Sequence, residues 1–340
     1  MDIREISLPF DAAQISAIQA LNIPRLTFLI IRQDGEILLF DPQTSVLSSH
    51  ISQLDQGIDV KQVGIYSYRD YCCIVDNRGT RGVVLSLTDP TFQKHLIRGD
   101  YQVEHCSFPI GFYSRGDQTF LIHGTDWNRL DITCLETDEL LTERIVDYES
   151  ETNYVDYFHS LLSVSPDENS FITNGWVWNP IDVIKLYKID TFLVSYESSD
   201  YQSIFPEGRN SGYLWDRPAC WMDSETVVIG YNKQEEFNEQ QFASELQFMK
   251  IGSEEIVKKI PFDGFAVNDE GEISGSLHHD TLGKQLLVFH PDKGLLVTDY
   301  VGKVLYQDVT FQADRYSEQH RMFYSVRDSK LLLNHLFTPQ

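Results

Sequence analysis

One short pattern occurs three times in the chain, and a recurring unit limits the architecture more than any other feature of a sequence. The copies read IYSYRD at residues 65–70, FYSRGD at 112–117 and FYSVRD at 323–328. An apolar run follows each copy, at residues 71–75, 120–122 and 331–333. This order is typical of a strand, a tight polar turn that contains Asp, and a second strand. It predicts a fold assembled from repeated antiparallel hairpins.

Further apolar segments of strand length group into sets of about four strands over roughly 45–60 residues, which is the size of a propeller blade. Residues 12–21 read either as a short helix capped by Asp11 or as a strand over residues 15–21, and the strand is preferred because it completes the first set. In the fourth set, strands are predicted at residues 171–173, 183–189 and 191–196, after the turn SPDEN at 165–169.

The last set, from residue 323 to 336, supplies two strands only, while a strand at residues 3–8 belongs to no other set. Joining both ends of the chain in one sheet completes the last set and removes exposed sheet edges. We therefore predict an all-β fold and a single domain over residues 1–340. It is a seven-bladed β-propeller of four-stranded antiparallel blades, closed by pairing of the N- and C-terminal strands in one blade. Six and eight blades are the alternatives.

The repeated unit resembles that of tryptophan–aspartate-repeat propellers, the WD40-like superfamily, and of related bacterial seven-bladed propellers. The resemblance covers nearly the whole chain and rests on SVSPD at 163–167, on the Tyr-Ser-x-x-Asp copies and on hairpins such as HPDKG at 290–294. No Gly-His pair opens the units, and the Trp-Asp pair formed by Trp215 and Asp216 lies in a connection. The resemblance therefore implies the fold of the superfamily and not its polar network.

Two residue types of the repeat have structural roles in this interpretation. The aspartates are expected to accept backbone N–H bonds within their own turns rather than to bind metal, because the ligand spacing of calcium loops is missing. The tyrosines are expected to pack between blades with bonded hydroxyls. The aspartates are Asp70, Asp117, Asp167 and Asp328, and the tyrosines are Tyr66, Tyr113 and Tyr324.

The charge of the chain is strongly acidic, with 51 Asp and Glu against 27 Lys and Arg and a formal net charge of −24. Nucleic acids and anionic lipids require basic surface, so the sequence predicts neither as a partner. The charge favours a basic protein or a cationic ligand, and ordinary surface acidity is the alternative interpretation. No apolar run approaches membrane-spanning length, and the first residues lack the pattern of a signal peptide.

The five cysteines form no zinc-site spacing, so we expect reduced thiols and a cytoplasmic location. His278 and His279 are neighbours in a predicted strand and face opposite ways, which does not suit one metal ion. No nucleophile elbow and no phosphate loop is present. The sequence predicts no metal, no cofactor and a monomer.

Unusual segments of the chain fall in two kinds of connection that share one face of a propeller. Second-to-third-strand turns are predicted at residues 126–128, 174–180 and 233–241, and links between blades at 147–157 and 198–217. These connections contain four of the five tryptophans and many carboxylates. Loops on a rigid scaffold are common recognition sites, although the tryptophans could instead plug the loops onto their own blades.

The candidate binding residues form an acidic, aromatic loop face. They are Trp127, Trp176, Trp178, Tyr213, Trp215, Phe237, Tyr154, Tyr157, Glu149 and Glu151.

The favoured function is a non-catalytic protein–protein interaction module that binds a basic partner through this face. The alternative is a propeller-type hydrolase, lactonase or lyase with a site at the central channel, to which His159, His278 or Asp280 would contribute. Carbohydrate binding by exposed tryptophans is a third hypothesis.

Overall fold

The structure of the protein is a computed structural model. It describes residues 2–51, 53–54, 57–144, 154–178, 181–196, 201–204, 216–235, 238–252, 256–267, 273–290 and 292–336. Nearly all regular elements are strands, and they form seven four-stranded antiparallel sheets and one two-stranded hairpin. The predicted fold class, a seven-bladed β-propeller, is confirmed. Within the described part of the chain, no helix has the length and apolarity needed to cross a membrane.

The chain divides into two compact units. The first unit comprises Met1–Phe108 and Ala313–Gln340 and contains three blades. Blade one consists of β2 (Ile15–Ala20), β3 (Phe28–Arg32), β4 (Ile37–Asp41) and β5 (Val46–Ile51). Blade two consists of β6 (Val63–Tyr68), β7 (Tyr71–Asp76), β8 (Arg81–Ser86) and β9 (Gln93–Ile97). Blade seven consists of β1 (Asp2–Ser7), β28 (Arg315–Ser317), β29 (Met322–Arg327) and β30 (Lys330–His335), in the order β1-β30-β29-β28.

The second unit comprises Pro109–Gln312 and contains four blades. Blade three consists of β10 (Ile110–Arg115), β11 (Gln118–Asp126), β12 (Arg129–Cys134) and β13 (Glu139–Leu140). Blade four consists of β14 (Phe158–Val164), β15 (Ser170–Val177), β16 (Ile181–Lys188) and β17 (Tyr201–Ile204). Blade five consists of β18 (Ala219–Trp221), β19 (Thr226–Glu235), β20 (Asn238–Lys250) and β21 (Ile256–Pro261). Blade six consists of β24 (Ser276–Asp280), β25 (Gln285–His290), β26 (Gly294–Thr298) and β27 (Val304–Asp308), and a hairpin of β22 (Ala266–Val267) and β23 (Ile273–Ser274) precedes it.

Short helical segments occupy the connections. One α-helix, α1, spans Ile189–Val194, and 3₁₀ turns span Ala12–Gln14, Val60–Gln62 and Val103–His105.

Within each unit, hydrophobic clusters fill the spaces between neighbouring blades, and Tyr113 and Tyr324 lie in two of them. Tyr324 of blade seven packs edge-on against Phe28 of blade one, with ring centroids 5.2 Å apart. Its hydroxyl accepts a bond of 3.1 Å from the backbone N–H of Ala20, and burial raises the pKa of Tyr324 to about 12. Tyr113 stacks on Phe120 in the cluster shared by blades three and four. The predicted packing between blades is confirmed for Tyr113 and Tyr324.

The turns of the repeated units use left-handed backbone conformations. Arg69 has φ 49°, Gly116 has φ 60° and Asp328 has φ 50°. In the fourth blade, the carboxylate of Asp167 accepts bonds from the hydroxyl of Ser165 and from the backbone N–H of Asn169. The expected role of the turn aspartate is thus confirmed for Asp167.

The predicted pairing of the two chain ends is confirmed. β1 pairs antiparallel with β30 in a register that runs from Asp2 opposite His335 to Ser7 opposite Lys330. Blade seven therefore takes one strand from the N-terminus and three from the C-terminus, one more than the sequence indicated. The additional strand, β28, has three residues and no apolar run. The ambiguous segment near residue 15 is the strand β2, as preferred.

Two predictions within blades four and five are wrong. Residues 191–196 do not form the outer strand of blade four, because residues 189–194 form α1, which buries Ile189 and Phe192 in the cluster shared by blades three and four. The outer strand is β17 instead. Residues 233–241 are not an enlarged loop, because β19 and β20 continue pairing through Lys233 opposite Ala243.

Removal of residues 323–340 should abolish folding. The truncation deletes β29 and β30, leaves β1 and β28 without neighbours, and exposes the apolar cluster that contains Phe28 and Ile30. Circular dichroism and thermal melting of the purified truncation test this expectation. A soluble truncation that melts cooperatively would contradict it.

Candidate functional site

Five aromatic side chains from blades three and four form one contiguous group, here called the aromatic cluster: Trp127, Tyr154, Phe158, Trp176 and Trp178. Phe158 is the centre. Its ring stacks on Trp176 at a centroid distance of 3.8 Å and lies 4.5 Å from Trp127 and 5.3 Å from Trp178. Tyr154 meets Trp127 edge-on at 6.5 Å. Stacked and perpendicular pairs are favourable aromatic arrangements.

The aromatic cluster is buried at its base and open at its outer edge. Phe158 is fully buried and Trp176 is 4% exposed, whereas 47% of Trp178 is exposed. Trp127 and Tyr154 are half-buried. The plug interpretation of the tryptophans therefore applies to Trp176, while Trp178 presents a large apolar surface to solvent.

Blade four fixes the turn that carries Trp127. The carboxylate of Asp126 accepts a 2.8 Å bond from the backbone N–H of Trp127, and the carbonyl of Trp127 accepts a 3.1 Å bond from the backbone N–H of His159. The hydroxyl of Tyr196, two residues after α1, donates a 2.9 Å bond to the carbonyl of Asn128. Strand β14 and the segment that follows α1 thus hold a turn that belongs to blade three.

His159 completes this arrangement from a buried position. Its Nε2 lies 2.5 Å from the Tyr196 oxygen. Because Tyr196 gives its proton to the Asn128 carbonyl, Nε2 of His159 is the donor in this bond. Burial, reinforced by the nearby Lys185, holds the pKa of His159 well below its ordinary value. His159 is therefore neutral, and its Nε2 is engaged with Tyr196.

Tyr157 and Gly175 set the spacing beneath the aromatic cluster. The Tyr157 hydroxyl lies 2.8 Å and 2.7 Å from the carbonyl oxygens of Thr173 and Val183, which share its proton, and it accepts a 2.6 Å bond from the N–H of Gly175. A Cβ atom at residue 175 would collide with this hydroxyl and with the carbonyl oxygen of Phe158. Glycine therefore permits the close approach of β14 and β15.

Lys185 is a buried cation beside this site, with 3% of its surface exposed. Its Nζ lies 4.5 Å from the centroid of the Tyr157 ring, the geometry of a cation–π contact. Burial lowers the pKa of Lys185 to about 7, and the charge of Asp156 opposes this shift in part. The amine is thus close to its own titration at neutral pH.

The charged groups of blades three and four differ in burial. Arg217 forms a fully buried ion pair with Asp182, and Arg129 forms an ion pair of 2.8 Å with the buried Asp131. Two other carboxylates of this region are more accessible, since Asp156 is exposed and Asp126 is half-buried.

The structure brings together four of the predicted site residues, Trp127, Tyr154, Trp176 and Trp178. Tyr157 lies beneath them, fully buried. Phe158 was missed, although it directly follows Tyr157 at the start of β14. The remaining predicted residues, Glu149, Glu151, Tyr213, Trp215 and Phe237, lie outside the described residues.

Two of the other candidate residues in blade six, His279 and Asp280, form side-chain hydrogen bonds. Nε2 of His279 lies 2.7 Å from the Tyr300 hydroxyl, and the carboxylate of Asp280 accepts a 2.8 Å bond from Gln285. Burial lowers the pKa of His278 to about 4. Within the residues that the structure describes, no group of three His, Cys, Asp or Glu side chains could hold a metal ion.

The fold is shared with solved structures. The alignment with one chain from the crystal structure of a mitotic checkpoint complex covers 98% of this chain and 94% of that chain. The TM-score is 0.56, and the two sequences are 12% identical. This match supports the seven-bladed propeller fold. At such identity the likeness shows the fold alone. No family model matches the chain, and no curated protein matches its sequence.

Replacing Tyr196 with Phe should loosen the turn that carries Trp127. The substitution leaves the buried carbonyl of Asn128 and the Nε2 donor of His159 without their shared partner, which should cost about 1–3 kcal/mol of unfolding free energy. Urea unfolding followed by tryptophan fluorescence measures the loss. Tyr101→Phe, at an exposed site, is the control and should leave the unfolding midpoint unchanged. Equal midpoints for Tyr196→Phe and the wild type would contradict the proposed support.

Lys185→Met should stabilise the protein at pH 7 and below. The pKa of Lys185 falls from its ordinary 10.5 to about 7 in the folded state, a difference worth at most about 5 kcal/mol. Below pH 7 both states are protonated and the wild type bears the full penalty. Between pH 7 and 10.5 the folded state loses the proton first, so wild-type stability rises with pH.

The gain of the Met variant should therefore shrink as the pH rises from 7 to 10.5. Urea unfolding of both proteins over this range measures it. Lys188→Met, at the exposed end of the same strand, is the matched control and should show no such pH dependence. A gain that does not change with pH would contradict the assignment of the shift to Lys185.

Proposed function

We propose that this protein is a non-catalytic interaction module that binds a basic protein partner through the outer edge of the aromatic cluster. The single observation that carries the proposal is the position of Trp178. This side chain rests edge-on against Phe158 and Trp176, at 5.3 Å and 5.4 Å, yet remains 47% exposed. A rigidly supported and exposed tryptophan is the kind of residue that dominates binding energy at protein interfaces.

Charge supports a basic partner. The chain has a net charge of −24, and the described basic side chains near the aromatic cluster are paired or buried while Asp156 is exposed. Such a surface attracts a positively charged partner and accelerates its association at low salt. A guanidinium or ammonium group of the partner could also lie over the face of Trp178.

The fold comparison supports a protein as the partner. The solved chain that this protein resembles belongs to a complex, the mitotic checkpoint complex. The scaffold of this protein likewise presents loops from neighbouring blades at one edge, where the Trp127 turn and the Trp178 turn meet. Recognition by such loops requires no movement of the strands beneath them.

A cytoplasmic location is part of the proposal. All five cysteines are free, and four of them are buried. Burial raises the pKa of Cys72 to about 12, so this thiol is protonated and unreactive at neutral pH. Fractionation of cells that express a tagged chain tests the location.

Trp178→Ala should weaken partner binding about 10- to 30-fold while leaving the fold intact, because the side chain is exposed and supports no core. Co-purification from the native source identifies the bound basic protein, and calorimetry with that purified protein measures the dissociation constant. Binding by the wild type should also weaken as the salt concentration rises.

Tyr101→Ala is the matched control, since Tyr101 is 46% exposed and belongs to blade-two connections rather than to the aromatic cluster. Its dissociation constant should equal that of the wild type. Unchanged affinity of Trp178→Ala, or salt-independent capture of acidic proteins only, would overturn the proposal.

A further inference from the structure

A cavity of about 350 Å³ lies within the first unit, far in sequence from the aromatic cluster. The first strand of blade one lines it together with the entry segments of blades two and seven. Its volume is at the lower end of the range for small-molecule sites, roughly 300–1,000 Å³. It is therefore large enough for a compact organic molecule and too small for a folded element of a partner.

The floor of the cavity is apolar. Ile15, Ile18, Val63 and Val326 contribute aliphatic side chains, and Ala17 contributes a small one. Ile18 and Val63 are both buried. Such walls favour an aliphatic or aromatic body over a fully polar ligand.

The single carboxylate of the lining, Asp314, is already neutralised. It accepts bonds of 3.0 Å and 2.7 Å from the guanidinium of Arg327 and a 3.1 Å bond from the backbone N–H of Val326. This fork geometry satisfies both oxygens and balances the charge.

Two basic side chains also line the cavity. The guanidinium of Arg315 donates a 3.0 Å bond to the side-chain carbonyl of Gln19, which is a neutral acceptor. Lys61 lies at the same cavity. Among the described residues, no carboxylate forms an ion pair within 4.0 Å of either nitrogen group. These two basic groups line one cavity of a chain whose net charge is −24.

We propose that this cavity binds a small organic monocarboxylate, whose charged head lies between Arg315 and Lys61 and whose apolar body packs against Ile15, Ile18 and Val326. Charge complementarity selects the carboxylate, and the aliphatic walls select the body. The site is independent of the aromatic cluster and of the partner proposed for it. Binding would place a metabolite-sized ligand where blades one, two and seven meet.

The test is titration calorimetry of the full chain with hexanoate, compared with hexanamide, its uncharged counterpart of similar shape. Wild-type protein should bind hexanoate at least tenfold more tightly than hexanamide. Arg315→Gln should weaken hexanoate binding about tenfold and leave hexanamide binding unchanged, as expected for loss of one charge-assisted contact. Lys61→Gln should act in the same direction.

Two further variants serve as controls for charge and for the cavity itself. Lys303→Gln removes an exposed cation elsewhere and should not change hexanoate binding. Ala17→Phe fills the cavity without altering its charge and should abolish binding of both compounds. Absence of hexanoate binding to the folded wild type at millimolar concentration would overturn the proposal. Binding that survives both Arg315→Gln and Ala17→Phe would overturn it equally.

Discussion

The pairing of β1 with β30 is the constraint on which the arrangement of the first unit depends. Six residues at one end of the chain complete a sheet whose other three strands come from the opposite end. On the face of these two strands that packs against the core, Ile6 lies opposite Leu331. On the solvent face, Lys330 forms an ion pair with Glu5 at 2.7 Å. Because sequence-distant segments must meet before this sheet exists, its formation requires the costly closure of a long loop. The pairing covers the edge of β30 and gives blade one a complete neighbour.

The aromatic cluster shows how packing between blades also shapes a surface. Its outer residue, Trp178, is exposed, but its position follows from buried contacts of Phe158 and Trp176. The Trp127 turn is likewise held by Tyr196 and by the backbone of His159, which belong to the next blade. A polar network inside the interface therefore fixes a turn outside it. Buried polar groups of this kind specify one arrangement because each alternative leaves a donor or acceptor unpaired.

Much of the fold could be predicted from the sequence because its local signals agree with one another. The hairpin turns, the alternating apolar strands and the unpaired strand at residues 3–8 all indicated one closed series of sheets. β28 escaped prediction because three residues carry no periodicity, and α1 was mistaken for a strand because its six residues are too few to show a clear helical period. Trp127, Tyr154, Trp176 and Trp178 were assigned from topology to connections on one face, although Trp176 lies in strand β15. How deeply each of these side chains is buried could not be predicted, because it depends on the stacking of Phe158 on Trp176 of the neighbouring strand. The cavity could not be predicted, because Ile15, Lys61 and Arg315 are far apart in the sequence.

The antiparallel register of β1 and β30 has a mechanical consequence. Asp2 stands opposite His335, so the two ends of the chain leave this sheet side by side. A force that pulls them apart acts on the first hydrogen-bonded pair and then on the next, as in the opening of a zipper, instead of loading all bonds of the strand at once. Tension applied through these ends should therefore peel β1 away at low force. The same sheet would resist a load applied along the strand direction far better.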